Sequence, residues 1–274
     1  MSTECISITL PQELAYLRPY AIDDLARFGN KSDGGYLLPK SVVSQIDAVL
    51  SFGVNEDWSL EEELARLIPN LKIHAYDPTV GKRYFFKKLQ KSLKRLIFKF
   101  QVKGWREALA LWRSYKSFFT GLRIHYPERV YNREDHPGDA TLSKIFSRLA
   151  DAKSVFLKMD IEGGEYRVID DLLGYSDRIA LLAIEFHNTE PFRDVFEKLV
   201  KKISGDFFLV HFHANNNEPM ASDGLPEVVE LTFLNRRYAL PPTQRLELPL
   251  EGIDFPNNPD KPDYRLSFAS RDAS

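Results

Sequence analysis

The chain's 274 residues, 43% of them hydrophobic, suffice to bury a sizeable core and fit one large α/β domain with decorations. Cys5 is the only cysteine, so no internal disulfide forms and a reducing compartment suits the chain. No run approaches the roughly 18 apolar residues of a membrane span, and "MSTECISITL" has no basic region ahead of an apolar core, so the expectation is a cytoplasmic protein.

In chain order, residues 11–47 read as a short helix followed by the turn-rich "GNKSDGGYLLP", where Asp33-Gly34-Gly35 signals a hairpin whose glycines let backbone approach a ligand or another strand. Apolar, β-rich runs then recur with helical spacers at residues 48–53, 72–77, 155–160, 180–185 and 207–213. A last run, 228–233, follows with only a loop before it, which predicts an antiparallel pair at one end of an otherwise parallel sheet. The expected organisation is N-terminal helix and hairpin elements over 1–47, a main α/β domain over 48–236 and a C-terminal tail over 237–274. The segment "EGIDFPNNPDKPDY" in that tail has three prolines and no periodicity.

The net charge of −2 conceals a segregation. Residues 81–120 hold twelve Lys or Arg against one acid, Glu107, a local charge of +11 that leaves −13 on the remainder. From Phe85 to Phe100 the apolar side chains Phe85, Leu89, Leu93, Leu96, Ile97 and Phe100 fall within about 120° of one helical face, with Lys and Arg opposite. A second amphipathic stretch, 105–119, follows Gly104. This basic helical insertion reads either as a surface for anionic lipid or an acidic glycan, which would hold the protein at a membrane periphery, or as a cap whose charges are solvated. Nucleic acid has no recognised module behind it.

Four of the five earlier runs end in a charged or imidazole side chain, and in open α/β sheets such ends face one ligand crevice. The first run leads into "SFGVNEDWSLEEEL", where Gly53 is the only glycine; a dinucleotide loop wants three, and Glu56, Asp57 and Glu61 to Glu63 would repel phosphate. NAD or ATP held by its phosphates is therefore disfavoured. Asp77 ends the second run 24 residues after Gly53, near the spacing at which a carboxylate takes ribose hydroxyls, or else caps the turn before Pro78. In "KMDIEGGEY" three carboxylates, Asp160, Glu162 and Glu165, crowd six residues and call for a cation. A ligand with a ribose, no phosphate and a positive charge is S-adenosylmethionine.

The stretches "DGGYLLP", "SFGVNEDWSLEEELA", "IHAYDPT", "FLKMDIEGGEYRVI", "LAIEFH", "VHFHANN" and "PEVVELTFLN" together resemble the FkbM-like family of S-adenosylmethionine-dependent methyltransferases, in order and spacing, over roughly residues 30–236. The resemblance implies a Rossmann-like seven-stranded methyltransferase sheet, mostly parallel with an antiparallel terminal strand, and methyl transfer to a hydroxyl of a glycan, glycolipid or natural product. It gives Gly53 and Asp77 the cofactor roles already argued, with Asn55 beside them, and sets Asp160 toward the transferred methyl. The insertion after "AYDPT" departs from the family pattern.

A sugar hydroxyl is a weak nucleophile and needs a base or a metal ion. Glu185 and His187, and likewise His211 and His213, lie two apart on strand ends and so share a face. The expected catalytic residues are Asp160, His187 and His213; a divalent Mg or Mn ion would sit on Asp160, Glu185 and His213. Structural histidines are the alternative. Asn215 and Asn216 offer carbonyls or hydrogen bonds to substrate, Glu162 adjoins the methionine end of the cofactor, and Glu165 offsets a helix dipole. Asp139 and Thr141 border the adenine pocket or cap the next helix. The rival functions are a non-catalytic nucleoside-binding adaptor acting through the basic surface and an NAD-dependent oxidoreductase.

Overall fold

A strand covered by helices on both faces must be buried along its whole length. The runs at 48–52, 155–159 and 179–186 meet that condition in the computed structural model, which describes residues 5–222, 224–238 and 243–269. The chain opens with β1 (Cys5–Leu10), a 3-10 turn (Gln12–Leu17), the hairpin of β2 (Leu25–Phe28) and β3 (Tyr36–Pro39), and the short α1 (Lys40–Val43). There follow β4 (Ala48–Phe52), α2 (Ser59–Leu67), β5 (Lys72–Tyr76), α3 (Lys82–Lys99), α4 (Val102–Phe118) and β6 (Arg123–Tyr126). Next come β7 (Arg129–Val130), β8 (Asp139–Ala140), α5 (Leu142–Ser147), β9 (Val155–Met159) and α6 (Glu165–Leu172). The last elements are β10 (Ile179–Phe186), α7 (Arg193–Asp206), β11 (Phe207–Ala214), β12 (Val229–Asn235), β13 (Glu247–Leu248) and β14 (Asp263–Phe268).

Seven strands form the central sheet in the order β11-β12-β10-β9-β4-β5-β6, parallel except for β12, which runs against both neighbours. Alternate side chains divide the core: Leu50, Leu157 and Ile184 pack with Ile145, Val168 and Ile203 on one side, while Val49, Phe156 and Ala183 pack with Leu38 and Leu64 on the other. The expected antiparallel pair, β11 with β12, lies at one end of the sheet, with β12 between β10 and the edge strand β11. The edge strand β6 was not separated from the basic stretch in the sequence, because its four residues follow the insertion directly.

The insertion is a helical hairpin. Its base is fixed by Trp58, whose ring meets Phe85, Tyr115 and Phe119 edge-on at 5.7 to 5.8 Å and whose Nε1 donates to Glu62 and Ser114 at 3.1 Å. Of the apolar face expected on α3, Phe85 is buried while Leu93, Ile97 and Phe100 are exposed. The distal half therefore caps none of the core.

Residues 237–274, expected as a tail, are folded where described: β14 pairs parallel with β1 and antiparallel with β13. Residues 1–4, 239–242 and 270–274 of the terminal segments lie outside the described residues. The proline-rich stretch is pinned to the sheet by polar side chains. Asp254 lies 2.9 Å from His211 Nε2 and 3.0 Å from His213 Nδ1, and Asn257 Oδ1 lies 3.0 Å from His213 Nε2. Burial alone would lower the His213 pKa, but Asp254, with Glu230 and Asp263 behind it, raises it from 6.5 to about 10. Asp254 is held well below the usual carboxylate range, its burial outweighed by the two histidines.

These shifts fix a pH window. The raised His213 stabilises the fold fully below pH 6.5 and loses that contribution as pH climbs through about 10. The depressed Asp254 contributes above its ordinary 3.8 and loses its share as pH falls. Urea midpoints should hold level between these limits and decline from pH 6.5 to 10. Asp254→Asn, by leaving a buried imidazolium unpaired, should cost on the order of 3 kcal/mol near pH 6 and flatten the alkaline decline. A variant with the parental pH profile would show that the pair is not ionised.

Candidate active site

The sheet register builds the site. Tyr76 pairs with Phe52, Phe52 with Met159, and Met159 with Ile184, so the residues that follow, Asp77, Gly53, Asp160 and Glu185, stand in one row at the carboxyl ends of β5, β4, β9 and β10. They border a cavity of about 770 Å³ with Asn55, Lys158, Glu162 and His187. Asp33 and Gly34, from the β2–β3 turn, close one side.

Gly53 is required by geometry. Its φ is +76°, and a Cβ there would lie 1.7 Å from the carbonyl oxygen of Asp160. The two loops can be this close only because one of them has no side chain. Asp160 N donates to Phe52 O at 2.9 Å and Gly53 N to Tyr76 O at 2.9 Å, locking three strand ends together.

Asp77 is the hub of the first loop. Oδ2 accepts from Val54 N at 3.1 Å and Asn55 N at 2.8 Å; Oδ1 accepts from Thr79 N at 2.8 Å and Thr79 Oγ1 at 2.6 Å. Burial would raise its pKa, but these bonds prevail and lower it. All four of its acceptor positions are engaged, so any further donor would reach Asp77 only by replacing one of these.

At the other end the carboxylates cluster around two cations. Lys158 is buried, donates to Gly53 O, and lies 3.4 Å from Asp160 Oδ2. Burial would lower its pKa, yet Asp160, Glu61 and Glu185 raise it. His187 faces Glu165 at 3.4 Å, Glu162 and Glu185 at 3.6 Å, and Asp160 at 3.8 Å. Against the effect of burial, Glu165 first and then Glu185 raise it from 6.5 to about 9. Glu185 is pushed well above the usual carboxylate range, first by burial and then by Asp160 and Glu230.

The expected residues fare differently. Asp160, Glu185 and His187 come together, with one ligand atom from each within 4.8 Å of the others. His213 does not join them. Glu185 pairs with Glu230 and Glu230 with His213, so β12 stands between, and two strand spacings put His213 roughly 10 Å away. The set Asp160, Glu185 and His213 is therefore not assembled, and His213, committed to Asp254 and Asn257, is corrected to a structural role. His187, held as a cation at neutral pH, has no free lone pair with which to take a proton as the expected base.

Asn215 donates to Glu185 at 3.1 Å, while Asn216 binds the carbonyl of Asn258 at 2.9 Å and so serves the C-terminal segment. Glu162, at φ +54°, turns a largely exposed side chain along the open edge. Glu165 is buried at the start of α6 and accepts from Ile161 N at 2.8 Å, closing the loop as well as facing the helix dipole. Thr141 caps α5, and Asp139 holds Arg129 through bonds of 2.9 and 3.0 Å. Lys158 was missed because it lies inside an apolar run; its place one residue from the acidic loop was the available signal.

The Methyltransferase FkbM domain model matches residues 47–215. No curated protein matches the chain. Among solved structures, the StiE O-MT fragment is similar at 16% identity, over 72% of this chain and 71% of that one, with a TM-score of 0.36. An O-methyltransferase from Bacillus cereus in complex with SAH is similar at 7% identity, over 71% and 76%, TM-score 0.34. A precorrin-6y C5,15-methyltransferase from Geobacter metallireducens is similar at 15% identity, over 71% and 84%, TM-score 0.34. The family model spans more than half of the chain and covers the strand-end row from Gly53 to Glu185, and on that match the chain belongs to the FkbM family of methyltransferases.

Proposed function

We propose that the protein is an S-adenosylmethionine-dependent O-methyltransferase, with residues 48–236 as its catalytic unit. The observation that carries this reading is the excess of carboxylates over cations at the crevice, whose lining sets Asp33, Glu56, Asp57, Asp77, Asp160, Glu162 and Glu185 against Arg129, Lys158, Arg167 and His187. A ligand bearing a positive charge completes that arrangement; one bearing phosphates opposes it. S-adenosylmethionine supplies an electrophilic methyl group and leaves as a neutral thioether.

The residues present fit such a ligand. Gly53 lets the loop after β4 close onto the Asp160 carbonyl, so that both loops line one cavity, and Asp77 presents a carboxylate to the ribose in exchange for a Thr79, Val54 or Asn55 donor. Asn55 shapes the loop between them. Asp160 and Glu162 flank the methionine end. Glu185 in its ionised form takes the hydroxyl proton of the acceptor; burial and the neighbouring carboxylates make it a stronger base than an ordinary glutamate, and the His187 cation 3.6 Å away favours its ionised form. Asp33 and Glu162, on the open side, offer acceptors to further hydroxyls of a glycan, glycolipid or natural product. A second reading rests on the compactness of Asp160, Glu185 and His187, which could hold a divalent ion that lowers the hydroxyl pKa.

Calorimetry should detect binding of S-adenosylhomocysteine and none of NAD. Asp77→Ala should weaken S-adenosylhomocysteine by about 1.5–3 kcal/mol, the worth of one hydrogen bond to a charged group; a folded variant with unaltered affinity would remove Asp77 from the cofactor site. With an acceptor in hand, Glu185→Gln should lower turnover about 100-fold or more. Turnover indifferent to chelator supports the carboxylate reading, whereas loss on chelation with recovery on added Mg²⁺ or Mn²⁺ supports the ion. Cofactor binding without methyl transfer to any hydroxyl acceptor would favour the adaptor.

A further inference from the structure

Residues 81–120 contribute Lys88 and Tyr84 to Glu56 on the cavity wall, but their distal half touches nothing that the site uses. Helix α3 has 18 residues and so extends about 27 Å, anchored at the Trp58 end and free at the other. At the free end Ile97, Phe98 and Phe100 are 59%, 78% and 85% exposed, with Leu93 and Val102 beside them. Around these lie Lys91, Lys94, Arg95, Lys99 and Lys103, all exposed. Phe100 ends α3 at φ +52°, a left-handed backbone that a bulky side chain rarely adopts and that glycine would take without strain. An aromatic ring is thus held outward in water at a conformational cost.

We propose that this tip inserts into the surface of a bilayer rich in anionic lipid. The apolar side chains are too few and too short to cross a membrane, and no helix among the described residues is long and apolar enough to do so. They have the size and position to reach the acyl boundary from a protruding hairpin, and the ring of lysines and arginine lies where headgroup phosphates and carboxylates would meet it. Charge complementarity selects the occupant: a module of twelve bases and one acid faces an anionic surface, and the acidic body behind it is repelled from that surface, which orients the tip downward. Two rings with a polybasic collar give reversible, salt-dependent attachment.

Flotation of the full chain with vesicles of phosphatidylcholine alone and with about one-third phosphatidylserine tests the proposal. The wild type should float with the anionic vesicles, detach as salt rises, and stay behind with the neutral ones. The pairs Phe98→Ser with Phe100→Ser, and Lys94→Glu with Lys99→Glu, should each weaken flotation at least about tenfold while the melting temperature and S-adenosylhomocysteine affinity stay at wild-type values. A Phe98→Trp variant should show a blue-shifted emission quenched by brominated acyl chains. Wild-type protein that ignores anionic vesicles, or a serine pair that floats as the wild type does, would overturn the proposal. So would self-association in vesicle-free solution that the serine pair abolishes, since a second copy would then cover the tip.

Discussion

A buried ammonium, Lys158, is the group on which the crevice depends. It stands at the end of the central strand β9, fully within the protein, and it is kept charged by Asp160, Glu61 and Glu185 although burial alone would neutralise it. Its bond to Gly53 O draws the loop after β4 against the loop after β9, where the missing Cβ of Gly53 admits the Asp160 carbonyl. Remove the cation and Asp160, Glu61 and Glu185 lose their shared counter-charge; remove the carboxylates and an uncompensated buried ammonium is left, a loss of several kcal/mol in either direction. The arrangement is partly balanced, and the deficit is positive charge.

Topology turns this local balance into a binding site. Parallel strands in register put Asp77, Gly53, Asp160 and Glu185 in a line, so the Asp77 hub and the charged cluster are held at a fixed separation by backbone hydrogen bonds. Threading β12 between β10 and β11 adds Glu230 to the row and moves His213 out of reach, where it secures the C-terminal segment through Asp254 and Asn257. Carboxylates thus serve two separate purposes along one sheet edge. Those near β9 line the open cavity, and those near β11 hold a chain segment closed.

Much of this was legible in the sequence, for definite reasons. The apolar runs of β4, β5, β9, β10, β11 and β12 stand out because strands buried on both faces carry continuous hydrophobic stretches, and the charged residues ending the runs of β5, β9 and β10 mark the crevice. Asp77, Gly53, Asp160, Glu185 and His187 follow from those ends. His213 did not, because strand order is set by packing across the sheet and a hairpin partner slipping between two parallel strands leaves no local trace. Asp254 and Asn257 were hidden in a proline-rich segment whose order comes from distant side chains and not from its own periodicity. The charge state of His187 was hidden too, since Asp160, Glu162 and Glu165 converge on it from a segment more than twenty residues away and join Glu185 from its own strand end.

The central claim is that the crevice is completed by a cation, and the ratio of affinities for S-adenosylmethionine and S-adenosylhomocysteine reads it most directly, because the two differ by the sulfonium methyl and its charge. Measured by calorimetry on the wild type and on Asp160→Asn, that ratio should move toward the neutral thioether by about tenfold in the variant, equivalent to about 1.4 kcal/mol. An unchanged ratio would mean that the carboxylate cluster does not sense the charge of the cofactor.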